Sequence, residues 1–123
     1  MIGSSKETLE IVRKYHSAWV NKNFEEAIQL LSPQLVVEVP VNSYPTKESF
    51  AEAVRAFGSL AKTVRILGEF ANEDQAVILY DMDVEGLGQV RMAENFFVKS
   101  GLINKIRQIH DTHEIRKAGF ARS

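Results

Sequence analysis

The sequence predicts an α+β fold, with helices packed on one face of a strongly curved antiparallel sheet. Three observations lead there. Apolar residues recur at helical spacing through the first half of the chain. From Lys62 onward, four stretches read as strands: Lys62–Phe70, Ala76–Glu85, Gln89–Lys99 and Leu102–Ile115. Asn72-Glu73-Asp74, Gly86-Leu87-Gly88 and Ser100-Gly101 separate them, and connections this short make antiparallel hairpins.

Ser4-Ser5-Lys6-Glu7 has the form of a capping box, in which Ser4 accepts the Glu7 amide and Glu7 reaches back. Leu9, Val12, Tyr15, His16 and Trp19 then form the stripe of an amphipathic helix ending near Asn21. Tyr15 lies on that buried stripe, where a hydroxyl needs a partner. Asn23 with Glu26 suggests a second cap. Phe24, Ala27, Ile28 and Leu31 make a short helix that Ser32-Pro33 should stop. Leu35–Val41 reads as a strand with Leu35, Val37, Val39 and Val41 on one face. Thr46 caps a third helix, striped by Phe50, Val54 and Phe57, with Gly58 as its expected stop.

In the segment Val90–Val98, Glu94 sits amid the more apolar face, with Val90, Met92, Phe96 and Val98. An ionised carboxylate there is costly unless something pairs with it. Either Glu94 is a cleft acid of raised pKa, or it pairs with a buried Arg, or the register differs. In the preceding strand Ile78, Tyr80, Met82 and Val84 form the apolar face, with Asp81 and Asp83 opposite. The last strand reads both ways: Ile103, Ile109, Asp111, His113 and Ile115 share one face, and Leu102, Ile106 and His110 the other.

The 123 residues fit one domain, 1–123, with a sizeable core. With 15 basic and 16 acidic residues the net charge is −1, which argues against nucleic acid as a partner. There is no cysteine, and so no thiolate chemistry. No apolar run is long enough to span a membrane, and Met-Ile-Gly-Ser-Ser-Lys lacks a signal-peptide core, so a cytoplasmic protein is expected. No phosphate loop or nucleophile motif is present. On a strand His110 and His113 point to opposite faces, so no metal is expected. Asp81 and Asp83 read as the polar outer face, or part of a dimer contact.

Val12-Arg-Lys-Tyr15 followed by Asn-Lys-Asn-Phe24 and Leu30-Leu31, then Val37-Glu-Val-Pro-Val41, Ala71-Asn-Glu73 and Lys99-Ser-Gly-Leu-Ile-Asn-Lys-Ile106, resemble segments of one superfamily. This is the nuclear-transport-factor-2-like (cystatin-like) cone-shaped α+β barrel, which includes SnoaL-like polyketide cyclases and ketosteroid isomerase. The resemblance covers nearly the whole chain and is closest in pattern to ketosteroid isomerase-like proteins. It implies a hydrophobic pocket. Along the isomerase pattern, Tyr15 falls on the oxyanion-hole tyrosine. Glu94, with a one-residue gap in the Glu85–Gln89 turn, falls on the protonated acid beside it. The isomerase's general base, however, falls on Val39, so steroid-isomerase activity is not implied.

SnoaL-like cyclases place an acid/base Asp in the closing strands. That makes Asp111 the replacement candidate, with His113 or His16 as a tuning partner; otherwise Ile-His-Asp-Thr-His is an exposed strand end. The expected catalytic set is Tyr15, Glu94, Asp111 and His113. The expected pocket wall is Trp19, Val39, Phe57, Tyr80, Met82, Met92, Phe96 and Ile109. The expected activity is binding of a small apolar carbonyl- or enol-bearing molecule, with cofactor-independent proton transfer of an isomerase, cyclase or lyase type. A non-catalytic binding module and a dimerising adaptor are the alternatives. A homodimer through the outer sheet face is expected, because Val77, Leu79 and Phe97 lie opposite the pocket.

Overall fold

Ser4 opens the first helix, its Oγ accepting the Glu7 amide at 3.1 Å. The computed structural model describes residues 4–119, and within them α1 runs Ser5–Val20 and α2 Phe24–Gln29. β1 follows at Leu31–Glu38, α3 at Lys47–Leu60, β2 at Ala61–Ala71 and β3 at Gln75–Val84. β4 is Gly88–Lys99, β5 is Leu102–His110, and the short α4 is His113–Lys117. Asn23 makes no side-chain cap bond on α2. α3 has the full reciprocal box of Thr46 and Ser49.

The strands form one sheet in the order β1-β5-β4-β3-β2. The three hairpins pair antiparallel as expected. β1 departs from the all-antiparallel expectation, because it joins β5 in parallel, with Leu31 opposite Ile103 and Val37 opposite Ile106. Ser32-Pro33 therefore lies inside β1 rather than ending α2. This strand is an edge of the sheet, where a proline's missing N–H costs no ladder bond. Gly58 is not a helix stop either: it is buried in α3, with the Phe24 ring where a Cβ would go. The Nζ of Lys22 holds the carbonyls of Gly58 and Ala61 near the end of that helix.

Helix α1 crosses the sheet and buries Val12, Tyr15, His16, Ala18 and Trp19. Facing it, β3 contributes Ala76, Ile78, Tyr80, Met82 and Val84, and β4 contributes Val90, Met92, Glu94 and Phe96. Burying each large apolar side chain is worth ~1.5–3 kcal/mol, so this layer is what fixes the register. In β5 the alternation breaks. Phe97 faces Lys105 while Val98 faces Ile103, which leaves Asn104 as an extra, bulged residue. Ile103 and Ile106 are consequently both buried, where an unbroken strand would separate them.

The outer face holds two ion networks. Asp81 is buried instead of solvated, gripped by Arg91 at 2.7 and 2.9 Å and by Arg65 at 3.2 Å. The Arg91 bonds chiefly hold its carboxyl down to about 2. Glu38 accepts from Lys105 at 2.9 Å and Arg107 at 2.7 Å, and these two cations flank the Phe97 ring.

Candidate functional site

Because the sheet's inner face is only partly covered by α1, a cavity of about 390 Å³ remains between the sheet, α3 and the Val39–Tyr44 loop. Such a volume lies in the range of small-molecule sites. Helix α1 supplies Tyr15 and Trp19, the loop Val39, Val41, Asn42 and Tyr44, and α3 the wall around Phe50, Val54 and Phe57. From the sheet come Tyr80, Met82, Met92, Glu94, Gln108 and His110. The most buried of the polar groups, Tyr15 (1% exposed), Tyr80 (2%) and Glu94 (2%), make the floor. Glu52, Ser49 and Asn42 are more exposed and mark the mouth.

Glu94 reaches the cavity because alternation in β4 puts it on the inner face between Met92 and Phe96. Its Oε1 accepts from the Tyr80 hydroxyl at 2.9 Å, and its Oε2 accepts from Gln108 Nε2 at 2.7 Å. Gln108 is its direct partner on β5, and Tyr80 is its diagonal neighbour on β3. Both bonds favour the carboxylate. Burial acts against it more strongly, so the Glu94 pKa is raised above the ordinary value even with Gln108 and Tyr80 donating. Burial and then the nearby Glu94 charge push both tyrosine hydroxyls up. The Tyr15 hydroxyl makes no hydrogen bond among the described residues, while its ring packs edge-on against Phe96 at 5.7 Å. Tyr15 is thus a donor at the floor open to a ligand, beside a carboxylate already held by two other donors.

The expected Tyr15, Glu94, Trp19, Val39, Phe57, Tyr80, Met82 and Met92 all line this cavity. Four others lie elsewhere. β5 stops at His110, so Asp111 and His113 leave the sheet and are exposed; Asp111 Oδ1 accepts the His113 amide at the start of α4. The expected strand face at Ile115 falls on a side chain outside the described residues. Ile109 is 65% exposed on the outer face, because the bulge at Asn104 turns Gln108 and His110 inward instead. Phe96 is buried behind Tyr15, not on the cavity surface. His16 touches neither Asp111 nor the cavity; its ring packs on Tyr80 at 4.5 Å and Trp19 at 4.9 Å. Gln108 was missed by the sequence reading, and the bulge that places it has no signature in the sequence.

Helices ahead of a curved sheet, an apolar cavity and a buried acid at its floor define a pocket fold of the nuclear-transport-factor-2-like type. The SnoaL-like domain model matches residues 12–106, and the chain belongs to that family. No curated protein matches the sequence. Among solved structures, a protein from Kribbella flavida DSM 17836 superposes with a TM-score of 0.86 at 23% identity, covering 93% of this chain and 94% of that one. An NTF2-like protein of unknown function from Cytophaga hutchinsonii ATCC 33406 gives 0.79 at 16% identity, covering 89% and 94%. A ketosteroid isomerase candidate, again from Kribbella flavida DSM 17836, gives 0.77 at 14% identity, covering 87% and 79%. No helix among the described residues is long and apolar enough to cross a membrane.

Proposed function

We propose that this protein binds a small, largely apolar molecule through one carbonyl or enol oxygen and moves a proton beside that oxygen without a cofactor. The observation that carries the reading is Glu94, a carboxylate buried at the floor of an apolar cavity next to a tyrosine hydroxyl with no bond among the described residues. Val39, where the isomerase keeps its base, is apolar wall, and Asp111 is outside the cavity. Proton transfer therefore falls to Glu94, whose raised pKa brings it toward the range useful to a general base. Glu94 takes a proton from the carbon next to the carbonyl, and the electron pair moves onto the oxygen. Tyr15 donates to that oxygen, and the proton then returns to carbon. The likeness in fold to the ketosteroid isomerase candidate is consistent with this chemistry class.

The test is exchange of the α-hydrogens of 4-phenyl-2-butanone in D2O, followed by proton NMR. Wild type should accelerate it over buffer. Glu94→Gln should lose ~10²–10⁴-fold of the acceleration, the usual worth of a positioned base. Tyr15→Phe should lose a smaller part. Absence of acceleration although the ketone binds removes the catalytic claim. A non-catalytic binding module would then stand, a reading favoured by the engagement of both Glu94 oxygens by Tyr80 and Gln108. We also assign the outer sheet face, with exposed Val36, Phe70 and Ile109, to contact with a second copy of the chain.

A further inference from the structure

The permanently charged cations of the chain are missing from the cavity lining, where His110 is the one basic side chain among the described residues. Among the described residues that line it there are two carboxylates, Glu94 at the floor and Glu52 at the mouth, and neither lysine nor arginine. Both oxygens of Glu94 are engaged by neutral donors, so no neighbouring cation cancels its charge. The nearest elements spend their cations elsewhere. Arg65 and Arg91 hold Asp81, and Lys105 and Arg107 hold Glu38, on the outer face of the sheet, while Arg55 holds Glu25, Lys47 the Leu31 carbonyl and Arg116 the Pro40 carbonyl. Inside, the walls are mostly apolar or aromatic, with rings of Trp19, Tyr44 and Phe57 among them and Ser49, Gln108 and His110 as polar members. A concave, low-dielectric cleft lined by one sign of charge focuses its field, and aromatic faces attract cations.

We propose that the site selects its ligand by charge: it takes neutral and, preferentially, amine-bearing ketones, and rejects ketones bearing a carboxylate or phosphate. The inference rests on the carbonyl-binding reading above and sharpens it to a substrate class. The ketone oxygen meets Tyr15 at the floor. The ammonium group lies toward the mouth, between Glu52 and the aromatic wall. An anion in that place would sit within the field of both carboxylates, and the lining offers it the His110 ring and neutral groups such as Ser49 but no lysine or arginine.

Trp19 makes the test direct, because it is the chain's one tryptophan and lines the cavity. Its fluorescence is titrated at pH 8 with three ketones on one skeleton: 4-phenyl-2-butanone, its para-aminomethyl derivative and its para-carboxy derivative. The expected order is amine tightest, neutral next, and carboxylate weaker than neutral by on the order of ten- to a hundred-fold. Glu52→Gln, a change at an exposed position of the mouth, should narrow the spread, and Glu94→Gln should narrow it further. Equal binding of the neutral and carboxylate ketones overturns the charge selection and leaves the pocket reading standing. Binding of none of the three overturns both.

Discussion

His16 is the residue whose environment is least forgiving. It is buried between Trp19 and Tyr80, and its Nε2 has no partner among the described residues. Burial lowers its pKa from 6.5 to about 4, so the ring is neutral in the folded protein at neutral pH. Between pH 6.5 and about 4 the unfolded chain binds a proton that the folded chain does not. Stability must then fall as the pH falls through that window, by up to about 3 kcal/mol. Urea unfolding of wild type and His16→Phe at pH 7, 5.5 and 4.5 checks this. The variant should lose most of the slope, and an unchanged slope would contradict it. Asp81 is lost lower, as pH drops below 3.8 toward about 2, and does not confuse the result. Glu94, with its raised pKa, has the opposite slope in both proteins and cancels in the comparison. At this scale the sequence was readable for Glu94, because strict alternation in β4 leaves a carboxylate no outer position. Its partners were not readable. Counting back from the Lys99–Leu102 pair, an unbroken ladder sets Glu94 opposite Arg107, and only the bulge at Asn104 brings Gln108 there.

Among the elements, α3 shows how close packing overrides local preference. A Cβ on Gly58 would lie 2.7 Å from Phe24 Cε1, so α2 and α3 touch through the missing side chain. Alanine gains up to ~1 kcal/mol in a helix interior, whereas overpacking costs ~1–3 kcal/mol. Gly58→Ala should therefore destabilise by about 1 kcal/mol net. In a Phe24→Ala background the same change should stabilise. Thermal melts of the four proteins give the answer, and equal effects in both backgrounds would show that the contact is not what keeps the glycine. Periodicity found this helix and its Thr46 cap but took Gly58 for its end, since a glycine required by a distant ring looks the same in sequence as one required by a left-handed turn. The last strand failed similarly. β-rich composition ran on past His110, while the chain had already left the sheet for the turn that Asp111 caps.

For the molecule as a whole, the order of helices and hairpins was legible from turn chemistry, and the parallel seating of β1 was not, because no local pattern reports a partner so distant in sequence. The outer sheet face bears Phe70 at 62% exposed and Ile109 at 65%, beside half-buried Val77, Leu79 and Phe97. If that face joins two copies, light scattering should give twice the chain mass, and Phe70→Glu with Ile109→Glu should give a folded monomer. A wild-type monomer at high concentration would end the assignment. The parallel edge has a further consequence, during synthesis. β1 leaves the ribosome more than 70 residues ahead of the strand it pairs with, Leu31 waiting for Ile103. Until β5 is made, the nascent chain carries an apolar strand with unpaired backbone and no cavity at all. In that interval only the helices α2 and α3, which pack on β1 and are made before β5, stand between Leu31 and Leu35 and other chains.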